Sequence, residues 1–482
     1  MTSPFSDPKF AWARIERASP PKRTAAERVG DFEEIYDEFD EKVATAQASR
    51  CIQCPNALCV QACPLSNRIP EWLALTAAGQ FLEAAALSRS TSNMPEICSR
   101  VCPQERLCEG ACILGAKSEP VAIGAVERFI NEYAFSHHDV DAIQVPSNGR
   151  RVAVVGSGPG GLSCADELVK LGYGVTVFES QLIPGGLLVN GIPAFKLEKH
   201  IVERRIDLLA RRGVEFRLGV KVGWDVSLEG LRSKYDAVFL AVGAQKPKPL
   251  DVPGAELKGV VDALPFLIQK NVDSPLVAGD AIDVRGKRVA VLGGGDTAMD
   301  CLRTAVRAGA GEAVCLYRRD LANMPGSRKE YGNALEEGAR FEFLTNPIAL
   351  VGDAAGRVSA VRCVRMELGA ADASGRRKPR PVPGSEFTVP ADVLIVAYGF
   401  DAVPFPPESD FAAMKTDDWG CIKVDANQMT SRPGVFAGGD ASRGPSLVVH
   451  AVRDARKAAQ GIHRYLYLEP RVTKSGDGRT AA

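Results

Sequence analysis

Two stretches of this chain share one layout. RVAVVGSGPGGLSCADELVKLGYGVTVFES (151–180) and RVAVLGGGDTAMDCLRTAVRAGAGEAVCLYRRD (288–320) each pass from a short apolar run through glycines and a helical run into a second apolar run. Apolar runs of this length belong to strands buried on both faces, and parallel neighbours need a crossover helix between them. The chain is therefore α/β in these regions, with two Rossmann-like dinucleotide-binding units. Its 482 residues exceed what one core holds and predict roughly three domains.

In the first unit, Gly156, Gly158 and Gly161 form a G-x-G-x-x-G turn. The first glycine makes the tight turn, the second lets backbone approach a pyrophosphate, and the third packs helix on strand. The helix N-terminus then faces the anion. Glu179 ends the second strand, 23 residues after Gly156, where a carboxylate accepts hydrogen bonds from ribose hydroxyls. In the second unit Gly293, Gly295 and Ala298 take the glycine positions, and the strand ends in Arg318 and Arg319 with no acid. A carboxylate there would repel a 2′-phosphate, whereas guanidinium groups pair with it bidentately. One such contact is worth about 1.5–3 kcal/mol, roughly ten- to a hundredfold in affinity. The second site is expected to prefer NADPH. The alternative is a solvated surface pair, since adjacent strand residues cannot both point inward.

An acid at one site and arginines at the other predict two different ligands, a flavin first and NADPH second, which makes an acceptor and a donor. YDAVFLAVGA (235–244) and DVLIVAYGF (392–400) read as buried strands returning to the centre of each unit. GVFAGGDASRGPSLVVHAVRDARKAA (434–459) reads as a strand, Gly439-Asp440 and an alanine-rich helix. Asp440 suits the ribityl chain of FAD or caps that helix, and the two roles are compatible. The NADPH unit thus sits inside the flavin unit. The expected division is 151–282 for the first part of the FAD domain, 283–395 for the NADPH domain, 396–470 for the second part and 471–482 for a tail.

Ahead of these units lie CIQCPNALCVQACP (51–64) and CSRVCPQERLCEGAC (98–112). Cys51, Cys54, Cys59, Cys63, Cys98, Cys102, Cys108 and Cys112 put eight thiols into 62 residues, enough for two cubane clusters with four ligands each. Zinc modules set two close pairs a dozen or more residues apart and often use histidine; here thiols crowd together, no histidine is near, and a proline follows Cys63. Zinc and plain burial of the cysteines remain the alternatives. In two-cluster ferredoxins each motif lends one ligand across. That rule assigns Cys51, Cys54, Cys59 and Cys112 to one cluster and Cys63, Cys98, Cys102 and Cys108 to the other. Between the motifs, Ile69, Leu73, Phe81 and Leu82 fall at helical spacings with Asn67 as an N-cap, and Val126, Phe129, Ile130 and Tyr133 mark a helical face after them. Residues 46–138 are expected to be a helical [4Fe–4S] domain, with 139–150 as a linker. Residues 1–45 read as a polar arm that wraps its own chain or docks on a partner.

Lysine plus arginine balance aspartate plus glutamate at 59 each, so composition gives no argument for nucleic acid or an anionic membrane. Charges recur from Asp7 onward, and no apolar run approaches the eighteen or so residues of a spanning helix. A cytoplasmic location is expected, where thiols stay reduced and clustered cysteines mean metal or redox chemistry. The other five cysteines form no C-x2-C pair, which argues against an exchangeable disulfide.

Taken together, RCIQCPNALCVQACP, PGGLLVNGIPAFKLEK, LGGGDTAMDCLRTAVR, YRRDLANMPGSRKE, GSEFTVPADVLIVAYGF and GVFAGGDA resemble the small (beta) subunit of NADPH-dependent glutamate synthase over nearly the whole chain. The resemblance implies two adrenodoxin-reductase-like domains behind a helical iron–sulfur region. It implies FAD held by Gly156, Gly158, Gly160, Gly161, Glu179, Gly186, Leu187, Gly439 and Asp440. It implies NADPH held by Gly293, Gly294, Gly295, Asp296, Thr297, Ala298, Arg318 and Arg319. It further implies electron flow from NADPH to FAD and through two [4Fe–4S] clusters to FMN in a large (alpha) subunit, which forms L-glutamate from L-glutamine and 2-oxoglutarate. No general base is expected, because hydride transfer at a flavin depends on ring positioning. Two other readings stay open: an input chain serving ferredoxin or a pyrimidine reductase, and a docking scaffold without catalysis.

Overall fold

A computed structural model describes residues 8–137, 140, 144–272, 281–371 and 377–468. The expected tail, the first seven arm residues and part of the expected linker lie outside the described residues. Among the described residues, no helix is long and apolar enough to cross a membrane.

The first sheet has five parallel strands in the order β15-β4-β1-β2-β3: β1 Arg151–Val155, β2 Gly174–Phe178, β3 Glu215–Arg217, β4 Ala237–Leu240 and β15 Val435–Ala437. Between β4 and β15 the chain leaves through β5, Lys246–Pro247, and returns through β14, Phe400–Asp401, which pair antiparallel. The excursion builds a second parallel sheet, β6-β13-β7-β8-β9, from β6 Val260–Asp262, β7 Arg288–Leu292, β8 Glu312–Tyr317, β9 Arg340–Phe343 and β13 Val393–Val396. A three-stranded antiparallel sheet, β10 Thr345–Gly352, β11 Val358–Ala371 and β12 Arg377–Pro390, packs beside it. β1 and β7 show the same burial, an exposed arginine followed by four buried residues, as strands covered on both faces should.

The topology moves one expected boundary. β6 and the helix Ala263–Asn271 belong to the second sheet, so that unit begins well before residue 283. β6 is a three-residue, half-buried edge strand with no glycine turn, and only its pairing with the distant β13 reveals it. The boundary expected at residue 46 falls inside the helix Glu41–Ser49.

The cysteine region is helical, with Leu58–Ala62, Ile69–Ala77, Phe81–Thr91, Pro95–Val101 and Ile123–Ser136. Gly79, at φ +76°, separates the second and third of these. Asn67 does not cap a helix. Its buried amide joins Trp72 Nε1–H (3.2 Å), Thr91 Oγ1–H (3.0 Å) and Glu127 Oε1 (2.7 Å), a hub that links three helices. Met94, Ile97 and Cys98 enter the same core as Val152, Val154 and Leu188, so the cysteine region and the first sheet share apolar packing.

The arm wraps its own chain. Arg28, 1% exposed, pairs with Glu336 (2.6 Å) and Glu337 (3.1 Å) of the second nucleotide domain. Glu337 in turn binds Arg303 (2.8 Å) and Arg307 (2.6 Å), all with side chains shut from water. A buried cation left unpaired would be costly, so the arm and the helix Asp296–Arg307 are fixed together.

Candidate active site and thiol cavities

One cavity of about 620 Å³ runs along the ends of β1, β2 and β4 and into the seam between the two nucleotide domains. Gly156, Gly158, Gly160, Glu179, Gly186, Leu187, Gly439 and Asp440 all line it. Gly156 turns at φ +99°, and a Cβ there would lie 2.4 Å from the carbonyl oxygen of Ala241. Gly158 has nothing within 4 Å of where its Cβ would be, so the loop leaves open the space a pyrophosphate needs. Gly161 is not in the wall: it packs the helix Pro159–Lys170 onto Gly156.

Glu179 is held by the protein's own donors. Its Oε2 accepts from Ser157 N–H (2.9 Å) and Oγ–H (2.6 Å), while Oε1 accepts from Gln181 N–H (2.8 Å) and Ser180 Oγ–H (3.1 Å). Four protein donors fill the carboxylate, so a ribose hydroxyl bonds there by displacing one of them. Asp440 starts a single helical turn, Asp440–Arg443, and the alanine-rich helix proper begins only at Val448, beyond Gly444 and Pro445. The Asp440 Oδ1 accepts from Ser446 N–H (3.1 Å), and burial pushes its pKa up to about 7 against that hydrogen bond. His450 bonds Ser446 Oγ (2.7 Å) and is not part of the cavity wall.

From the second unit, Asp296 and Thr297 reach the cavity. Gly293 turns at φ +136°, Gly295 faces open space as Gly158 does, and Ala298 is fully buried. Gly294 lies under the Tyr317 ring, which a Cβ would approach to 2.6 Å. Neither Arg318 nor Arg319 lines the cavity. Arg318 is exposed past the end of β8, and Arg319 Nε–H donates to the Arg377 carbonyl (3.1 Å) on the antiparallel sheet.

The eight thiols fall into two groups. Cys51, Cys54, Cys59 and Cys112 line one small cavity with Leu58, Pro70, Leu73 and Ile113; Cys63, Cys98, Cys102 and Cys108 line another with Leu65, Leu107, Glu127 and Val449. All eight are free of disulfides. Burial pushes Cys51 up to about 11, Cys59 to about 12 and Cys63 to about 11, so these three thiols hold their protons unless a cationic centre displaces them. Glu127, also raised to about 7 by burial, is the acid of the second group's wall. Cys102 lines both its thiol cavity and the large one.

Sequence reasoning missed the seam. Lys196 pairs with Asp300 (2.8 Å) and approaches Glu330 (4.0 Å), joining the first nucleotide domain to the second, and all three line the large cavity. Burial pushes Asp300 up to about 6 despite Lys196. For Lys196, Asp300 and Glu330 outweigh burial and the pKa rises. Ser327 N–H donates to Asp296 (2.8 Å), its hydroxyl donates to Glu105 (2.8 Å), and Arg106 reaches Asp296 (3.6 Å) and the Pro325 carbonyl (2.6 Å). Apart from Glu105 and Arg106, which lie between the cysteines of the second thiol motif, these residues sit in AFKLEK, GGGDTAMD and NMPGSRKE, motifs whose distinctiveness was the available signal.

Two parallel-sheet nucleotide units, one inserted in the other behind a thiol-rich helical region, define a pyridine-nucleotide oxidoreductase with an iron–sulfur module. Residues 150–455 match the pyridine nucleotide-disulphide oxidoreductase family, and residues 28–139 match dihydropyrimidine dehydrogenase domain II, the 4Fe-4S cluster domain. The fold is that of FprA from Mycobacterium tuberculosis, with a TM-score of 0.57 at 23% identity over 67% of this chain and 85% of that one. The glutamate synthase [NADPH] small chain of Azospirillum brasilense is 48% identical over 92% of this chain and 94% of its own length. An Escherichia coli protein, AegA, named only as an oxidoreductase, is 45% identical over 93% of this chain and 70% of its own length. The chain belongs to the glutamate synthase [NADPH] small-chain family. It is an NADPH-dependent oxidoreductase, the electron-input chain of glutamate synthase, with FAD and [4Fe–4S] clusters as its cofactors, and its partner is a large subunit.

Proposed function

We propose that this chain takes reducing equivalents from NADPH in the seam beside Asp296 and Thr297 and passes them out, in the cytoplasm, to FMN in the large subunit through two thiolate-held clusters. The observation that carries the reading is the position of Cys102, in the wall of both the large cavity and a thiol cavity. When bound, flavin supplies the two-electron to one-electron exchange and the clusters supply single-electron carriage. The chain's own residues prepare the spaces. Gly156, Gly158, Gly160, Gly161, Gly186, Leu187 and Gly439 keep the first loop close to the cofactor, Glu179 ties that loop to the end of β2, and Asp440 faces the far wall. Cys51, Cys54, Cys59 and Cys112 would hold the outer cluster and Cys63, Cys98, Cys102 and Cys108 the inner one. The donor chemistry fits: four thiols ring each apolar space, and iron would stabilise the thiolates that burial alone disfavours. Gly293, Gly294, Gly295 and Ala298 shape the pyridine-nucleotide loop, and Arg318 and Arg319 stand at the end of β8 where a 2′-phosphate would arrive.

The test is iron, labile sulfide and flavin per chain after anaerobic purification, with copurification of a large FMN protein. Eight irons and one FAD per chain are expected. Zinc in place of iron, or NADPH oxidation with an acceptor other than the large subunit as the only partner, would overturn the reading.

A further inference from the structure

The motif NMPGSRKE carries a cation that the activity as described leaves unused. Lys329 lies in the first turn of the helix Arg328–Glu336 and lines the large cavity with Asp296, Thr297 and Ser327. Its Nζ stands 4.0 Å over the ring of Tyr36, a residue of the N-terminal arm whose hydroxyl donates to Asn333 Oδ1 (3.0 Å) on the same helix. The carboxylates around it are committed elsewhere: Glu105 accepts from Ser327 Oγ–H (2.8 Å), Glu109 pairs with Arg17 (2.6 Å), and Glu330 is bound to Arg303. Among the described residues, the Lys329 ammonium has no hydrogen bond or ion pair of its own, only the ring. Its side chain is exposed to that cavity, and the partial loss of solvent there draws its pKa below the usual lysine value.

The loop that bears Lys329 is built onto the second glycine turn. Gly326 N–H donates to the Gly294 carbonyl (2.8 Å), and Ser327 N–H to the Asp296 carboxylate (2.8 Å). A Cβ at Gly326 would lie 3.0 Å from the Gly294 oxygen, so this approach depends on glycine. The lysine therefore lines the same cavity as Asp296 and Thr297, the first residues of the helix Asp296–Arg307, where the N-terminus of a nucleotide-binding helix receives a pyrophosphate. Arginines at the end of β8 are the candidates for a 2′-phosphate; Lys329 is at the other end of the same loop.

We infer that Lys329, held on the Tyr36 ring, binds the pyrophosphate of the pyridine nucleotide and is a binding determinant common to NADPH and NADH. This rests on the reading of the second domain as the NADPH site and adds to it the residue that receives the diphosphate. The arm then has a role in the site: Tyr36 pre-positions the lysine by a cation–π contact, which lowers the ordering cost of binding.

The test uses the purified flavin-loaded chain titrated with NADP⁺ and with NAD⁺, read as binding rather than turnover. Lys329→Met is expected to weaken both dinucleotides by the same factor, roughly tenfold or more for one lost charge-assisted contact. Lys329→Arg should restore most of the affinity, and Tyr36→Leu should weaken both by a smaller factor. Flavin content and melting temperature report whether each variant is folded. Unchanged NADP⁺ affinity in Lys329→Met, with Arg318→Ala still weakening it, overturns the lysine assignment alone. Loss confined to NADP⁺ overturns it too, by moving the contact to the 2′-phosphate. No change in either variant overturns the lysine assignment together with the reading of the second domain.

Discussion

Gly156 and Gly293 turn with positive φ, +99° and +136°, and a Cβ on either would lie 2.4 Å from a carbonyl oxygen, that of Ala241 or Ala397. Two positions on, Gly158 and Gly295 both face open space. At the third position the two nucleotide domains part. A Cβ at 161 would sit 1.8 Å from the Gly156 oxygen, whereas Ala298 keeps its methyl buried without conflict. The first helix is pressed against its own loop and the second stands slightly off. The ends of the second strands differ in the same sense: Glu179 is buried and held by four donors, two of them from Ser157 of the glycine loop, while Arg318 is exposed. One copy of the motif is tightly braced, as a resident cofactor would require, and the other is more open, as a ligand that comes and goes would require.

The hardest blow to this contrast is Gly161→Ala. It should abolish flavin retention and lower the melting temperature, while Ala298→Gly costs only about 1 kcal/mol, the usual penalty of glycine in a helix. Full flavin occupancy in Gly161→Ala would mean that the close packing is dispensable. Next comes the seam. Lys196→Met strands Asp300 and should destabilise the chain by roughly 3–5 kcal/mol, as breaking a buried pair does; a calorimetric melt with no change would show that the domains do not depend on that pair.

A smaller effect concerns Asp440, which follows β15. Its carboxyl is raised from 3.8 to about 7 by burial, so the folded flavin-free chain holds a proton that the unfolded chain releases over that interval. Stability is therefore lost as pH rises through it. Asp440→Asn should melt higher than the parent at pH 8 and converge with it near the lower limit, and parallel melting curves across that range would contradict the burial argument. The smallest expected change is at the more open copy. Arg318→Ala or Arg319→Ala should raise KM for NADPH up to about tenfold and leave NADH use unchanged; equal loss for both nucleotides would remove the 2′-phosphate role.

Much of the site could be read from the chain, and the reason is local. Glycine turns, apolar strands and cysteine spacings are short-range patterns, and each requires its residue types wherever the fold places them. The grouping of the thiols also followed from spacing, because the lent cysteines, Cys63 and Cys112, close each motif. The failures have an equally physical origin. Asn67 has a good capping composition, but three side-chain partners outweigh one cap bond. β6 is too short for a period and exists through its pairing with β13, about 130 residues away. Lys196, Asp300 and Lys329 look like ordinary charged residues of a turn and two helices until the fold sets all three in the wall of one cavity.

The amino-acid order alone determined the nucleotide motifs, the central strands β1 and β7 and the two thiol motifs, since backbone conformation and cysteine spacing are properties of neighbouring residues. Only the tertiary structure decided that Cys102 borders both spaces, that the arm clamps the second domain through Arg28, and that an unpaired lysine faces the seam. Those facts depend on electrostatics and packing between segments far apart in the chain, where desolvation makes each pairing or its absence count.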